Sequence, residues 1–124
     1  MPGLADTRRG ILDSLTAGMP GVLVTGDPRE IVAPCVFVDL ISLDTIGGVC
    51  GAWTGELIVY AVGTPDADAV GAGILEDLAD RILTVVGQDL ISLRGQLMEL
   101  AGGVIVPVYA VTLATVVELV PLGV

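Results

Sequence analysis

The sequence predicts an α+β domain of about four to six strands and two helices, built by all 124 residues as a single unit. Three stretches predict it. Near the C-terminus, Tyr109, Val111, Leu113, Val117 and Leu119 fall on one side and Ala110, Thr112, Ala114 and Glu118 on the other, the two-residue period of a half-buried strand. Residues 55–86 read as a β-branched strand, a Gly63-Thr64-Pro65-Asp66 breaker and a long helix. Ala101-Gly102-Gly103 sits between apolar runs at 96–100 and 104–108 and reads as a hairpin turn, because glycine takes positive φ without steric cost.

The remaining elements follow in order. Leu4, Ile11, Leu12 and Leu15 share a face over residues 4–17, with Asp6 or Thr7 placed to cap a first helix that Gly18-Met19-Pro20-Gly21 ends. Residues 22–25 form a short strand and Gly26-Asp27-Pro28 a turn. Pro34 opens a long apolar strand over 35–43, at the position where a missing N–H donor is tolerated. A loop over 44–54, rich in glycine and ending near Trp53, is too long for a tight hairpin and is read as a mobile or partner-contacting segment. In the second helix Val70, Ile74, Leu78, Ile82 and Val85 mark the apolar face, Asp66 caps the start, and Gly71 and Gly73 are read as points of close approach to the sheet. Asp77 is placed to pair with Arg81 one turn on, and Asp89-Leu90-Ile91-Ser92-Leu93 reads as a short strand.

Composition narrows the function. The chain is 53% hydrophobic, with one Phe, one Trp and two Tyr, and has no Lys, His or Asn. That is more apolar surface than a small monomer hides, which predicts subunit contacts. Fifteen acidic residues against five arginines give a net charge of −10, which excludes a nucleic-acid reader that grips phosphates. An acidic surface suits a passage along which nucleic acid slides without adhering. The N-terminal stretch is broken by Asp13 and Ser14 and is not read as a secretory signal. The uncharged run over 100–117 has the length of a membrane span, but Gly102-Gly103, Pro107, Thr112, Thr115 and the lack of a basic flank favour strands.

Chemistry is sparse, and the sequence predicts no catalytic residue, no cofactor and no metal site. Without histidine, a positioned acid, base or nucleophile must come from carboxylates, cysteines or arginines. Cys35 and Cys50 lack zinc spacing and read as ordinary reduced thiols. Asp66 and Asp68 are better explained by capping than by metal binding, and Glu76, Asp77 and Asp80 read as a solvated helix face. Gly71-Ala72-Gly73 lacks the third glycine of a dinucleotide loop, and Gly47-Gly48 lacks the Lys-Ser/Thr of a phosphate loop.

Several stretches carry a family likeness: Asp6-Thr7-Arg8-Arg9-Gly10-Ile11-Leu12; Ala33-Pro34-Cys35-Val36-Phe37-Val38; residues 55–62 followed by Thr64-Pro65-Asp66; and Val106-Pro107-Val108-Tyr109-Ala110-Val111-Thr112. With the order of elements, they resemble the tail terminator proteins of long-tailed bacteriophages of the siphovirus type, over nearly the whole chain. The bias to Ala, Gly, Val and Asp resembles coding in a phage of an actinobacterial host. The resemblance implies a mainly antiparallel sheet with two helices packed on one face. It further implies a virion structural protein: a six-membered ring at the head-proximal end of the tail tube that ends tube polymerisation and joins the tail to the head-completion or stopper protein. Its partners would be further copies of itself, the major tail tube protein and that head-side protein, with no membrane. It would sit at the tail–neck junction after assembly in the host cytoplasm, with genomic DNA passing through unbound. Such a ring would carry roughly sixty net negative charges. Asp44, Thr45, Ile46, Val49 and Trp53 are the candidate subunit or tube interface, and Asp44, Glu76, Asp77 and Asp80 the candidate channel-facing or exposed acidic face. Alternatives are another neck or head-to-tail joining component, a small ligand-binding or enzymatic α/β domain, and a membrane-associated chain.

Overall fold

The computed structural model describes residues 3–43, 52–65 and 69–118. In chain order these form α1 (Leu4–Gly18), β1 (Val24–Thr25), β2 (Cys35–Val38), β3 (Ser42–Leu43), β4 (Ala52–Val62), α2 (Ala69–Val86), β5 (Leu90–Glu99) and β6 (Ile105–Glu118), with 3-10 turns at Pro28–Glu30 and Gly87–Asp89. The strands make one six-stranded sheet in the order β1-β2-β4-β6-β5, with β3 pairing to β4 beside that path. Among the described strands only β1 and β2 run parallel, so this is the α+β, mainly antiparallel architecture expected.

Side-chain alternation divides the core between the two faces of the sheet. On one face Leu57, Val59, Ala61, Val111 and Leu113 pack beneath Leu15 and Met19 at the end of α1 and beneath Leu75, Leu78, Ala79, Ile82 and Val86 of α2. Burial of each large member contributes about 1.5–3 kcal/mol. The other face holds a smaller cluster of Cys35, Phe37, Val62, Val106 and Val108, covered in part by Ile31 and Ala33. Phe37 and Tyr60 stack within it, their ring centroids 6.1 Å apart. Ile31 and Ala33 belong to the crossover that joins the two parallel strands. Its turn is tied locally: Thr25 Oγ1 donates to Glu30 Oε2 at 3.0 Å and accepts from Asp27 N at 3.1 Å, and Asp27 Oδ1 accepts from Arg29 N at 2.9 Å.

Arg8 ties α1 to the ends of β1 and β2. Its Nε donates to the Asp39 carbonyl at 3.0 Å, and its Nη2 donates to the carbonyls of Val38, at 2.8 Å, and Gly26. A Cβ at Gly26 would lie 2.5 Å from Nη2, so a residue without a side chain leaves room for the guanidinium.

Several elements differ from expectation, each for a local reason. The N-cap of α1 is Gly3, with no side-chain hydrogen bond, while Asp6 lies within the first turn. The strand expected over 35–43 is broken: β2 and β3 both pair with β4, but their registers differ by one residue across residues 39–41, as at a bulge. There Leu40 N donates to Asp39 Oδ1 at 2.8 Å, and the Leu40 side chain is left exposed. β4 starts at Ala52, so Trp53 is a strand residue opposite Val117 and not part of the loop over 44–54. The buried stripe of α2 is Leu75, Leu78, Ala79, Ile82 and Val86, rotated from the expected one. Steps of four drift around a helix of 3.6 residues per turn, which leaves Ile74 47% exposed; Val85 instead lies against Gly18 of α1. Nothing lies within 4 Å of a Cβ placed on Gly73, so that glycine makes no close approach. The Asp66 cap lies outside the described residues.

β5 is one ten-residue strand rather than two pieces, with a bulge between Leu90 and Ser92. β6 likewise runs unbroken through Pro107. Proline fits there because β4 ends opposite Val108, and the Pro107 carbonyl instead accepts from Gly63 N at 2.8 Å. The hairpin turn is as expected, with Gly102 at φ 87° and Gly103 at φ 81°.

Gly55 sits where β3, β4 and β6 crowd together. An added Cβ there would meet Leu43 Cδ2 at 2.7 Å, the Ser42 carbonyl oxygen at 2.9 Å and Thr115 Oγ1 at 3.1 Å. Gly55→Val is expected to lower stability by about 1–3 kcal/mol, read as a lower urea midpoint at unchanged slope. An unchanged midpoint would contradict this packing.

Candidate functional site

The outer face of α2 carries the acidic residues expected. Glu76, Asp77 and Asp80 are exposed, opposite the buried stripe, and with Arg81 they give three carboxylates against one guanidinium. Among the described residues Asp77 and Arg81 do not close an ion pair; the pair present is Arg29 with Asp27, at 2.9 Å. That pair is at the surface, where the hydrogen bond from the Arg29 side chain holds the Asp27 carboxyl below its usual range. Of the candidate interface residues, Asp44, Thr45, Ile46 and Val49 lie outside the described residues. Trp53 is half-buried at the start of β4.

Sequence reasoning missed a second surface. β5 is the last strand of the sheet among the described residues, and over its ten residues one side of its backbone pairs with none of them. Leu93 lies opposite Val111 and Leu97 opposite Pro107, which places both on the helix-bearing face. The helices do not reach them: Leu93 is 40% exposed, Leu97 71% and Ile105, on the other arm of the hairpin, 56%. The alternation of Leu93 and Leu97 with Arg94, Gln96 and Met98 was the available signal, obscured by Gly95 between them.

Two concavities accompany these surfaces. A groove of about 480 Å³ runs between α2 and the residues leading into β1 and β2, lined by Gly21, Val22, Pro34, Ile74, Asp77 and Arg81 among others. A second hollow of about 340 Å³ lies between α1, the end of α2 and β6, where Thr115 and Asp89 are its polar members with Thr7. The Thr115 hydroxyl is buried, with no hydrogen-bond partner among the described residues.

Two further titratable groups are shifted by burial. Burial pushes the Cys35 thiol up, away from the reactive thiolate. Burial, and next the Asp39 carboxylate, push the Tyr60 phenol up, so it stays neutral near pH 7. Among the described residues there is no group of three or more His, Cys, Asp or Glu side chains placed to hold a metal, and no helix long and apolar enough to cross a membrane. Because Cys35 is enclosed, alkylation of the native protein followed by peptide mass mapping is expected to leave it unmodified, with labelling only after denaturation. Rapid native labelling of Cys35 would show that the sheet face opposite the helices is open.

No protein-family model matches the chain, and no curated protein matches it.

Proposed function

We propose that this chain is a structural ring protein of a phage neck: a tail terminator that closes the head-proximal end of the tail tube, ends its polymerisation and presents a surface to the head-completion or stopper protein. The observation that carries the reading is the exposed apolar edge formed by β5 and the β5–β6 hairpin on a strongly acidic chain. A monomer gains nothing from such an edge, whereas an assembling subunit buries it. The mainly antiparallel sheet bearing two helices on one face is also the architecture that the family resemblance implies.

The acid surface supports the same reading. Glu76, Asp77 and Asp80 point away from the core, and a ring built from copies of net charge −10 repels DNA phosphates from any acidic wall it presents. Genomic DNA then passes without being held, while the major tail tube protein and the head-side protein are met at the ring's two ends. On this reading the protein sits at the tail–neck junction of the virion, after a period in the host cytoplasm during assembly.

Deletion of the gene from its phage tests the role. Electron micrographs of the lysate are expected to show tails of uncontrolled length. Tails of normal length lying detached from full heads would instead assign the protein to head-to-tail joining.

A further inference from the structure

The apolar side chains that the fold leaves uncovered include two groups at opposite edges of the sheet. One is Leu93, Leu97 and Ile105 on the β5–β6 hairpin. The other is the groove beside α2, where Pro34 and Ile74 are exposed beside Gly21 and Val22, next to the starts of β1 and β2. Resting on the ring reading above, we infer that the β5 edge of one copy seats in the α2 groove of the next, with Leu97 against Ile74.

The occupant is a second copy because the two surfaces complement each other in charge as well as in apolarity. A chain of net charge −10 repels its own copies over most of its surface. Here an opposite charge is at hand: Glu99 lies on the face of β5 that carries Leu97, and the groove that receives it carries Arg81 beside Asp77. Glu99 follows Leu97 by two residues on the same strand face, about 7 Å away. Arg81 follows Ile74 by seven residues on the same helix face, about 10 Å away, a difference that the arginine side chain spans. With Leu97 on Ile74, Glu99 therefore reaches Arg81, which makes no ion pair among the described residues of its own chain.

The opposite edge of the sheet also argues for seating in the groove rather than for a continued ladder. β1 has two residues, too few to pair with ten. Pairing of β5 with itself about a two-fold axis would stop at two copies and leave the groove empty. Because the edge and the groove differ, each copy offers one of each, and the contact is head-to-tail, the kind that a ring of more than two copies requires.

Native mass spectrometry of four samples tests the contact: the wild type, Leu97→Asp, Ile74→Asp, and an equimolar mixture of the two variants. Both side chains are exposed, and circular dichroism verifies that each variant keeps the fold. The wild type is expected to give six copies and each variant one. The mixture is expected to give a one-to-one dimer and nothing larger, since Leu97→Asp retains the groove and Ile74→Asp retains the edge. Glu99→Arg should weaken the assembly, and adding Arg81→Glu should restore it. Two aspartate variants that both retain the wild-type copy number would overturn the contact while leaving the ring. Assembly of Ile74→Asp alone would overturn it in favour of β5 pairing with itself. A wild type that stays single, both free and on tail tubes, would overturn the contact and the ring together.

Discussion

The pairing of β4 with β6 is the constraint on which the other elements depend. It runs in unbroken register from Ala52 opposite Glu118 to Val62 opposite Val108. The two strands are not neighbours in sequence, so α2 and β5 must both be accommodated between them. α2 does so by lying back across the pair, which is why Leu57, Val59, Val111 and Leu113 share one cluster with Leu75, Leu78 and Ile82. β5 does so by adding to the far side of β6, and there the sheet ends. The exposed edge is thus a consequence of the central pairing. Crowding at Gly55 and the placement of Pro107 just beyond the end of β4 follow from the same register.

Arg8 performs a second organising task at the other side. Three backbone carbonyls, of Gly26, Val38 and Asp39, converge where β1 and β2 end, and the planar guanidinium supplies several donors in one fixed fork. α1 is held to the sheet there by hydrogen bonds, and at its other end by Leu15 and Met19. Between these anchors the short crossover from β1 to β2 covers the opposite face with Ile31 and Ala33, keeping Cys35 and Phe37 from water. Both faces of β2 are thereby buried, while β5, with neither helix nor crossover above it, stays open.

The parts of the fold legible in the sequence were those whose signals are local. The alternation of β6, the paired glycines of the hairpin and the strand-turn-helix run each reflect backbone chemistry within a few residues. The phase of α2 was less legible, because Val70, Ile74, Val85 and Leu75 are all apolar and only the position of α1 and the sheet decides which are buried. β5 was hard to read as one strand because an edge strand faces solvent on several sides and need not alternate cleanly. The break between β2 and β3 depends on a one-residue register slip against β4, a distant partner. In the candidate site, the Glu76, Asp77 and Asp80 face was legible from helical spacing. The hairpin edge and the α2 groove were not, since their exposure depends on how far the helices extend over the sheet.

Among the described residues the fold presents an acidic helix face, an open strand edge and a groove at opposite ends of one sheet. The proposed ring that ends a tube would use all three. Electron microscopy of tail tubes polymerising from purified tube protein, with and without this chain, tests that most directly. The account predicts a six-fold ring at one end of each tube and an arrest of growth when the chain is present. Tubes that continue to lengthen at the same rate, with no ring at either end, would contradict it.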